Sequence, residues 1–250
     1  MIVFACDTST KTCSAALLDG KTLMGERMET GKSAFSTVFM PMVEGLFSSC
    51  GISHADIDLY ICTSGPGSFT GLRIGVAATQ AMAYASGRPA IGVSTLEALA
   101  WPLLGRENAI VCPVLDARNG RIYGQAIPSG YADAGGAVPA GLPAANVRIE
   151  AFIDQLTIIA GDRQLLFCGD AADACALLAA SILGERSVPP PAHISLRAEW
   201  VGLSGLDSYG SGPAGRYPPH LLLPVYLGRS QAERTTGIDA SAWAAPGFTK

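Results

Sequence analysis

The sequence predicts an α/β protein built twice on one plan, with mixed sheets flanked by helices and a reduced second half. Three observations carry this expectation. Apolar, strand-like runs alternate with helix-like segments through the first 104 residues. Asp19-Gly20 separates two of those runs and is the strongest short hairpin signal in the chain. The opening pattern, an apolar run ending in aspartate, a polar turn and a second run, returns at 110–127, so that Asp7 and Asp116 close the two leading runs.

Taken in order, Ile2 to Cys6 reads as a strand and Asp7 to Lys11 as a polar turn whose side chains bond their own backbone. Cys13 to Leu18 and Thr22 to Met28 form the hairpin. Ser36 to Cys50 has apolar residues at helical period, stopped by Gly51. Ile57 to Cys62 is a buried strand, followed by a glycine-rich turn and a helix from Leu72 that runs to Gly87. Arg88 to Val93 is a return strand, and Ser94-Thr-Leu-Glu97 is a capping box that starts a helix reaching about Leu104. The second half offers strands at Ile110 to Leu115 and Arg121 to Ile127, a mobile loop from Pro128 to Pro143, a helix from Ile149 to Ile159, a strand from Gln164 to Cys168, a Gly169-Asp170 turn and a helix from Ala171 to Leu183. Pro189-Pro-Pro191 ends regular structure, Ser195 to Leu203 is a short helix, Ser208 to Pro219 a loop, and Leu221 to Tyr226 an edge strand or extended arm. This gives lobes at 1–104 and 105–229 and a patternless tail at 230–250.

Composition narrows the function classes. A net charge of −4 over 250 residues provides no basic field to hold a nucleic acid backbone. Seven cysteines, an odd number without a C-x-x-C pair and mostly inside apolar runs, point to a reduced, cytosolic protein. The N-terminus has no basic flank and meets an aspartate after six residues, so no signal peptide or anchor is expected, and no uncharged run has the length of a membrane span.

Thr63-Ser-Gly-Pro-Gly-Ser-Phe-Thr-Gly-Leu-Arg-Ile-Gly75 is the stretch most capable of chemistry. Its glycines Gly65, Gly67 and Gly71 can aim backbone N–H groups at an anion on a helix N-terminus, or let the helix approach its sheet closely. No Lys-Ser or Lys-Thr follows, as a P-loop needs, and the G-x-x-G half of a dinucleotide fingerprint is missing. On the helix after the turn, Gly71, Gly75, Ala78, Met82 and Ala85 fall on one face, and Arg73 is the single charge between Leu72 and Ser86. A surface helix of a monomer shows a polar face, so this one is covered twice: by its own sheet, and by a partner chain or by another helix such as 36–50. Asp7 and Asp116 either flank a nucleotide cleft, holding magnesium-bound phosphate through water, or cap their own turns, as Thr8, Ser9 and Thr10 around Asp7 suggest. His54, His193 and His220 are far apart and lack a second ligand at helical spacing, so no metal site is expected. No G-x-S-x-G elbow supports serine hydrolase chemistry.

Asp7-Thr-Ser9, the glycine motif from Ser64 to Gly75, Gly92-Val-Ser-Thr-Leu-Glu-Ala-Leu99 and Asp116-Ala-Arg118 together resemble the TsaB (YeaZ) family over residues 1 to 127, with Gly169-Asp170 and Pro224-Val-Tyr226 similar to later landmarks. The resemblance implies a two-lobed, actin-like fold, a duplicated RNase H-like unit. It implies a role in making threonylcarbamoyladenosine beside the anticodon of tRNAs that read codons starting with A. In that family the chain is a non-catalytic subunit: it supports the TsaD paralogue, which carries the metal-binding histidines, and the TsaE ATPase joins them. It pairs through the first lobe's helices, which places Gly71, Arg73, Gly75, Ala78, Met82 and Ala85 at the interface, and it forms a homodimer in isolation. tRNA is met only through the complex. No cofactor is required by the chain itself; ATP or ADP with magnesium at the complex interface is left open, with Asp7, Thr8, Ser9, Gly65, Gly67 and Asp116 as the residues that would meet it. The sequence departs from the family at Lys32-Ser33, where a His-Ser pair is usual, and at Gly228, which displaces Arg229 by one place. The competing expectation is a free-standing ATP-dependent enzyme of the same fold, and a metalloprotease ranks last.

Overall fold

The computed structural model describes residues 1–30, 34–129, 141–184, 187–188, 195–210 and 217–227. The first sheet comprises β1 (Ile2–Asp7), β2 (Thr12–Asp19), β3 (Thr22–Thr30), β4 (Leu59–Gly65) and β5 (Ala90–Ser94), in the order β3-β2-β1-β4-β5. Its first three strands are antiparallel neighbours and its last two run parallel to β1. Helices α1 (Phe35–Cys50), α2 (Phe69–Ser86) and α3 (Thr95–Ala100) come after β3, β4 and β5.

The second sheet repeats this arrangement. Strands β6 (Ala109–Asp116), β7 (Arg121–Ser129), β8 (Leu142–Arg148), β9 (Gln164–Cys168) and β10 (Ser187–Val188) lie in the order β8-β7-β6-β9-β10, with the same directions. α4 (Ile149–Ala160), α5 (Ala172–Leu183) and α6 (Ala198–Gly210) take the places of α1, α2 and α3. Even the strand ends correspond. Gly65 and Gly169 both adopt positive φ, 127° and 108°, where a side chain would run into a carbonyl oxygen, of Val225 and Val114 respectively. The duplicated, two-lobed actin-like fold expected from the sequence is therefore present.

Alternation along β1 shows how the layers are built. Phe4 and Cys6 face α1 and α2, with Leu17, Phe39, Leu46, Phe47, Tyr60 and Val76. Val3 and Ala5 face the opposite way, into a core made by both sheets together with α3 and α6: Leu18, Ile61, Leu96, Leu99, Val111, Cys168 and Val201 meet there. A third core lies between the outer face of the second sheet and α4 and α5, around Phe152, Leu156, Phe167 and Cys175. The order is helices, sheet, helices, sheet, helices.

Several boundaries differ from the sequence expectation. The loop expected at 128–143 is shorter at both ends, because β7 runs to Ser129 and Leu142–Arg148 forms β8 on the edge beside β7. That strand is invisible in the sequence because Leu-Pro-Ala-Ala-Asn-Val-Arg has a single β-branched residue. Residues 130–140 lie outside the described residues, as do the proline run 189–191, Lys32-Ser33, Gly228, Arg229 and the tail. α2 starts at Phe69 rather than Leu72, with Ser68 as its N-cap. α6 extends from Ala198 to Gly210 despite its glycines, since Gly202 and Gly205 press onto the first sheet: a Cβ there would stand 2.6 Å from Leu18 and from Ile61. Leu221 to Tyr226 is not a strand; a 3-10 turn at Pro219–Leu221 leads into an extended arm.

Candidate functional site

The glycine motif meets the Asp7 turn. Asp7 is fully buried, and its Oδ1 accepts from the Ser9 amide at 2.9 Å, the Thr63 hydroxyl at 2.6 Å and the Ser9 hydroxyl. Its Oδ2 accepts from the Thr10 hydroxyl at 3.2 Å. Thr63 reaches Asp7 because β1 and β4 run parallel with Cys6 opposite Cys62, which brings the next residues side by side. Burial pushes the Asp7 carboxyl above the usual carboxylate range, against the pull of these donors.

The helix side closes onto the same turn. The Thr8 hydroxyl donates to the Gly71 carbonyl at 2.7 Å, and the Ser68 amide donates to the Ser9 carbonyl at 2.7 Å. The Gly71 amide donates to the Ser68 hydroxyl at 3.2 Å, a standard N-cap bond. A Cβ at Gly71 would run into the Thr8 carbonyl oxygen, one at Gly75 into the Thr8 hydroxyl, and one at Gly67 would stand 2.8 Å from the Ser9 Cβ. Of the two readings of the glycines, close approach is the one this geometry satisfies. A magnesium-bound phosphate needs a carboxylate and amides free to face it, and here Asp7 and the Ser68 and Gly71 amides already bond within the chain. The Asp7 turn therefore does not fit that group.

Between the lobes lies a cleft of about 400 Å³. Ser9, Thr10, Lys11, Gly67 and Ser68 face it from the first lobe, Asp116, Arg118 and Asp170 from the second, and Val225 to Leu227 from the arm. Of the candidate nucleotide residues, Ser9, Gly67 and Asp116 line this cleft, whereas Asp7, Thr8 and Gly65 are packed behind it. Asp116 is exposed, and its Oδ1 accepts from the Arg118 amide at 2.7 Å. The Asp116 amide donates to Asp170 Oδ1 at 2.8 Å, and Asp170 Oδ2 pairs with Lys11 Nζ at 3.0 Å, joining the two lobes across the cleft. That pairing raises the Lys11 pKa. Sequence reasoning missed Lys11 and Asp170 as partners, because residues so far apart in the chain give no local signal.

Among the candidate interface residues, Gly71, Gly75 and Met82 are buried in this chain, so they cannot face a partner. Ala78 is half-buried; Arg73 and Ala85 are exposed. The outward side of α2 is instead Arg73, Ala77, Ala81, Tyr84 and Ala85. At about 100° per residue these span a sector of roughly 120°. The chain itself covers one border. Gln80 Nε2 donates to the carbonyls of Pro219 at 3.1 Å and Leu222 at 2.8 Å, and the Val225 amide donates to the Ser64 carbonyl at 2.7 Å. Arg73 lies 3.9 Å from the centre of the Phe69 ring and donates to the Tyr226 hydroxyl at 3.2 Å, while the Phe69 and Tyr226 rings sit 4.8 Å apart.

His54 stacks on Phe47 and contacts Glu44 at 3.2 Å, His220 lies in the 3-10 turn, and His193 is outside the described residues. Among the described residues no group of three or more histidine, cysteine or acidic side chains could hold a metal ion, and no helix is long and apolar enough to cross a membrane.

The family model described as "TsaD: tRNA N6-adenosine threonylcarbamoyltransferase" matches residues 29–188. The chain is 29% identical over 235 residues to the tRNA threonylcarbamoyladenosine biosynthesis protein TsaB of Bacillus subtilis, covering 93% of this chain and 96% of that one. It is 36% identical over 124 residues to the TsaB protein of Escherichia coli, covering 49% and 53% of the two chains. The solved structure of YeaZ from Pseudomonas aeruginosa superposes with a TM-score of 0.63 at 27% identity, covering 90% of this chain and 99% of that one.

Proposed function

The chain belongs to the TsaD family of tRNA N6-adenosine threonylcarbamoyltransferases, on its TsaB (YeaZ) branch, and from that premise we propose that it serves threonylcarbamoyladenosine biosynthesis as the non-catalytic partner of a TsaD-like transferase. The observation that carries this reading is α2. Its outer side exposes Ala77, Ala81, Tyr84 and Ala85, with Arg73 as its only charge, on a helix whose inner side is locked onto the Thr8 turn. A nearly uncharged face on which three alanines stand beside the exposed ring of Tyr84 permits close helix packing by a second chain along the alanines and offers an aromatic anchor at their edge. The match to the transferase family spans α1 and α2, so the partner has a related pair of helices, and related faces can meet about a pseudo-twofold axis. A homodimer of this chain would use the same face, and TsaE would join the assembled pair. The saturated Asp7 turn supports a scaffold role and gives no support to ATP chemistry in this chain.

Reconstitution tests the proposal. Threonylcarbamoyladenosine formation on tRNA by the TsaD-like paralogue and TsaE is expected to fall at least tenfold when this chain is omitted, while the chain alone neither binds ATP at micromolar concentration by calorimetry nor hydrolyses it. Modification at full rate without it would overturn the partner role. ATP binding and turnover by the isolated chain would establish the free-standing enzyme instead.

A further inference from the structure

The arm after the 3-10 turn descends along α2 from Gln80 to Phe69, held by the Gln80 bonds above and by Arg73 and the Phe69 ring below. It starts extended at Leu222 and makes no strand. Leu222 is buried against α2 and the first sheet, where its Cδ1 would stand 2.9 Å from a Cβ at Gly92. Leu221, which ends the 3-10 turn, and Leu223 and Val225 in the arm are 54, 62 and 50% exposed. Three large apolar side chains are thus exposed on a segment held along the Arg73 and Gln80 border of α2, the same helix whose outward side carries Tyr84, Ala77, Ala81 and Ala85. Their backbone is fixed, so a partner meets a preformed wall rather than a loose tail.

We propose that the C-terminal arm is the second half of the docking surface: the alanine stripe of α2 is its floor, the Leu221, Leu223 and Val225 ridge is its wall, and the occupant is a helix of the TsaD-like partner. This rests on the reading of α2 as the docking face. The arm adds what α2 lacks, since small side chains allow close approach but bury little apolar area, whereas leucines on a wall bury much more. The clasp of Phe69, Arg73 and Tyr226 positions the wall. It also ties docking to the cleft, because Val225 to Leu227 line the cleft and Val225 is bonded to Ser64. A partner that holds the ridge down slows opening of that bond.

The test uses the full chain and its TsaD-like paralogue, with affinity read by calorimetry and amide exchange read by mass spectrometry. Ala81→Arg alters the floor, Leu223→Glu the wall, and Tyr226→Phe removes one hydrogen bond of the clasp while keeping the ring. Both of the first two variants are expected to keep the wild-type circular dichroism and to weaken pairing more than tenfold. Tyr226→Phe should weaken pairing severalfold and accelerate exchange across 221–227 in the unpaired chain. Pairing should slow the Val225 amide at least tenfold. If Ala81→Arg abolishes pairing and Leu223→Glu leaves it unchanged, the arm is not part of the surface, although α2 remains the docking face. If neither variant matters, the docking reading of α2 falls as well. Unchanged exchange at Val225 on pairing would overturn the link to the cleft.

Discussion

Asp7 and Asp116 end the leading strands of two sheets that share one strand order, yet their surroundings are opposite. Asp7 is buried and receives four hydrogen bonds from Ser9, Thr10 and Thr63. Asp116 is exposed at the cleft, where its side chain accepts from the Arg118 amide. The difference originates in the segments that leave β4 and β9. After β4 come Gly67, Gly71 and Gly75, which let α2 press onto the Asp7 turn; after β9 only Gly169 precedes α5, and the Asp116 turn remains open. One topology thus yields a sealed carboxylate in one lobe and an accessible one in the other. The glycines on α2 decide which.

The contrast is most directly broken at the carboxylates. Asp7→Ala leaves buried donors on Ser9 and Thr63 unpaired and is expected to lower unfolding stability by about 3 kcal/mol, against no more than about 0.5 kcal/mol for Asp116→Ala, read from urea midpoints at constant slope. Similar losses at both positions would erase the distinction. Its pH dependence has a definite sign. Burial raises the folded-state pKa of Asp7 above the unfolded value of about 3.9, so the folded protein holds this proton more tightly. The contribution is full below the unfolded pKa and is lost as pH rises through the folded one. The stability difference between wild type and Asp7→Asn should therefore shift against the wild type above about pH 4 and then level off. A shift in favour of the wild type would show that the donors, not burial, govern the group.

The next effect in size concerns the glycines. Gly71→Ala pushes a methyl group into the Thr8 carbonyl and strains the Thr8 hydroxyl bond to Gly71, with an expected cost of about 2 kcal/mol in thermal or urea unfolding. A neutral result would mean that α2 can back away from the turn. Smallest is the link between the lobes. Lys11 is largely exposed, so Lys11→Met should cost less than about 1 kcal/mol, and the loss should vanish at about 1 M salt.

Much of the fold is legible in the sequence, and the failures share a cause. Asp19-Gly20, the Ser94 cap and Gly51 act over a few residues, and all three stand as expected. The repeat is readable from two aspartates at strand ends. The helical wheel of α2 identifies small residues suited to close approach, but a wheel does not reveal what approaches. Gly71 and Gly75 receive the turn at Thr8, far earlier in the chain, so the small face that the wheel offers to a partner is filled by the chain itself. Lys11 with Asp170, and Gln80 with Leu222, are likewise contacts between distant segments that leave no local trace.

The crossing of α6 has a consequence for how the chain is made. The inner face of the first sheet, with Val3, Ala5, Leu18 and Ile61, is closed by Ala198, Val201, Gly202 and Gly205. During synthesis the five strands of that sheet, complete at Ser94, leave the ribosome long before the helix that seals them, which begins at Ala198. Throughout that interval α3, and later the second sheet, can cover only part of this apolar face, and the ground that α6 seals over Ala5, Leu18 and Ile61 stays open, a surface of the kind that favours association of incomplete chains.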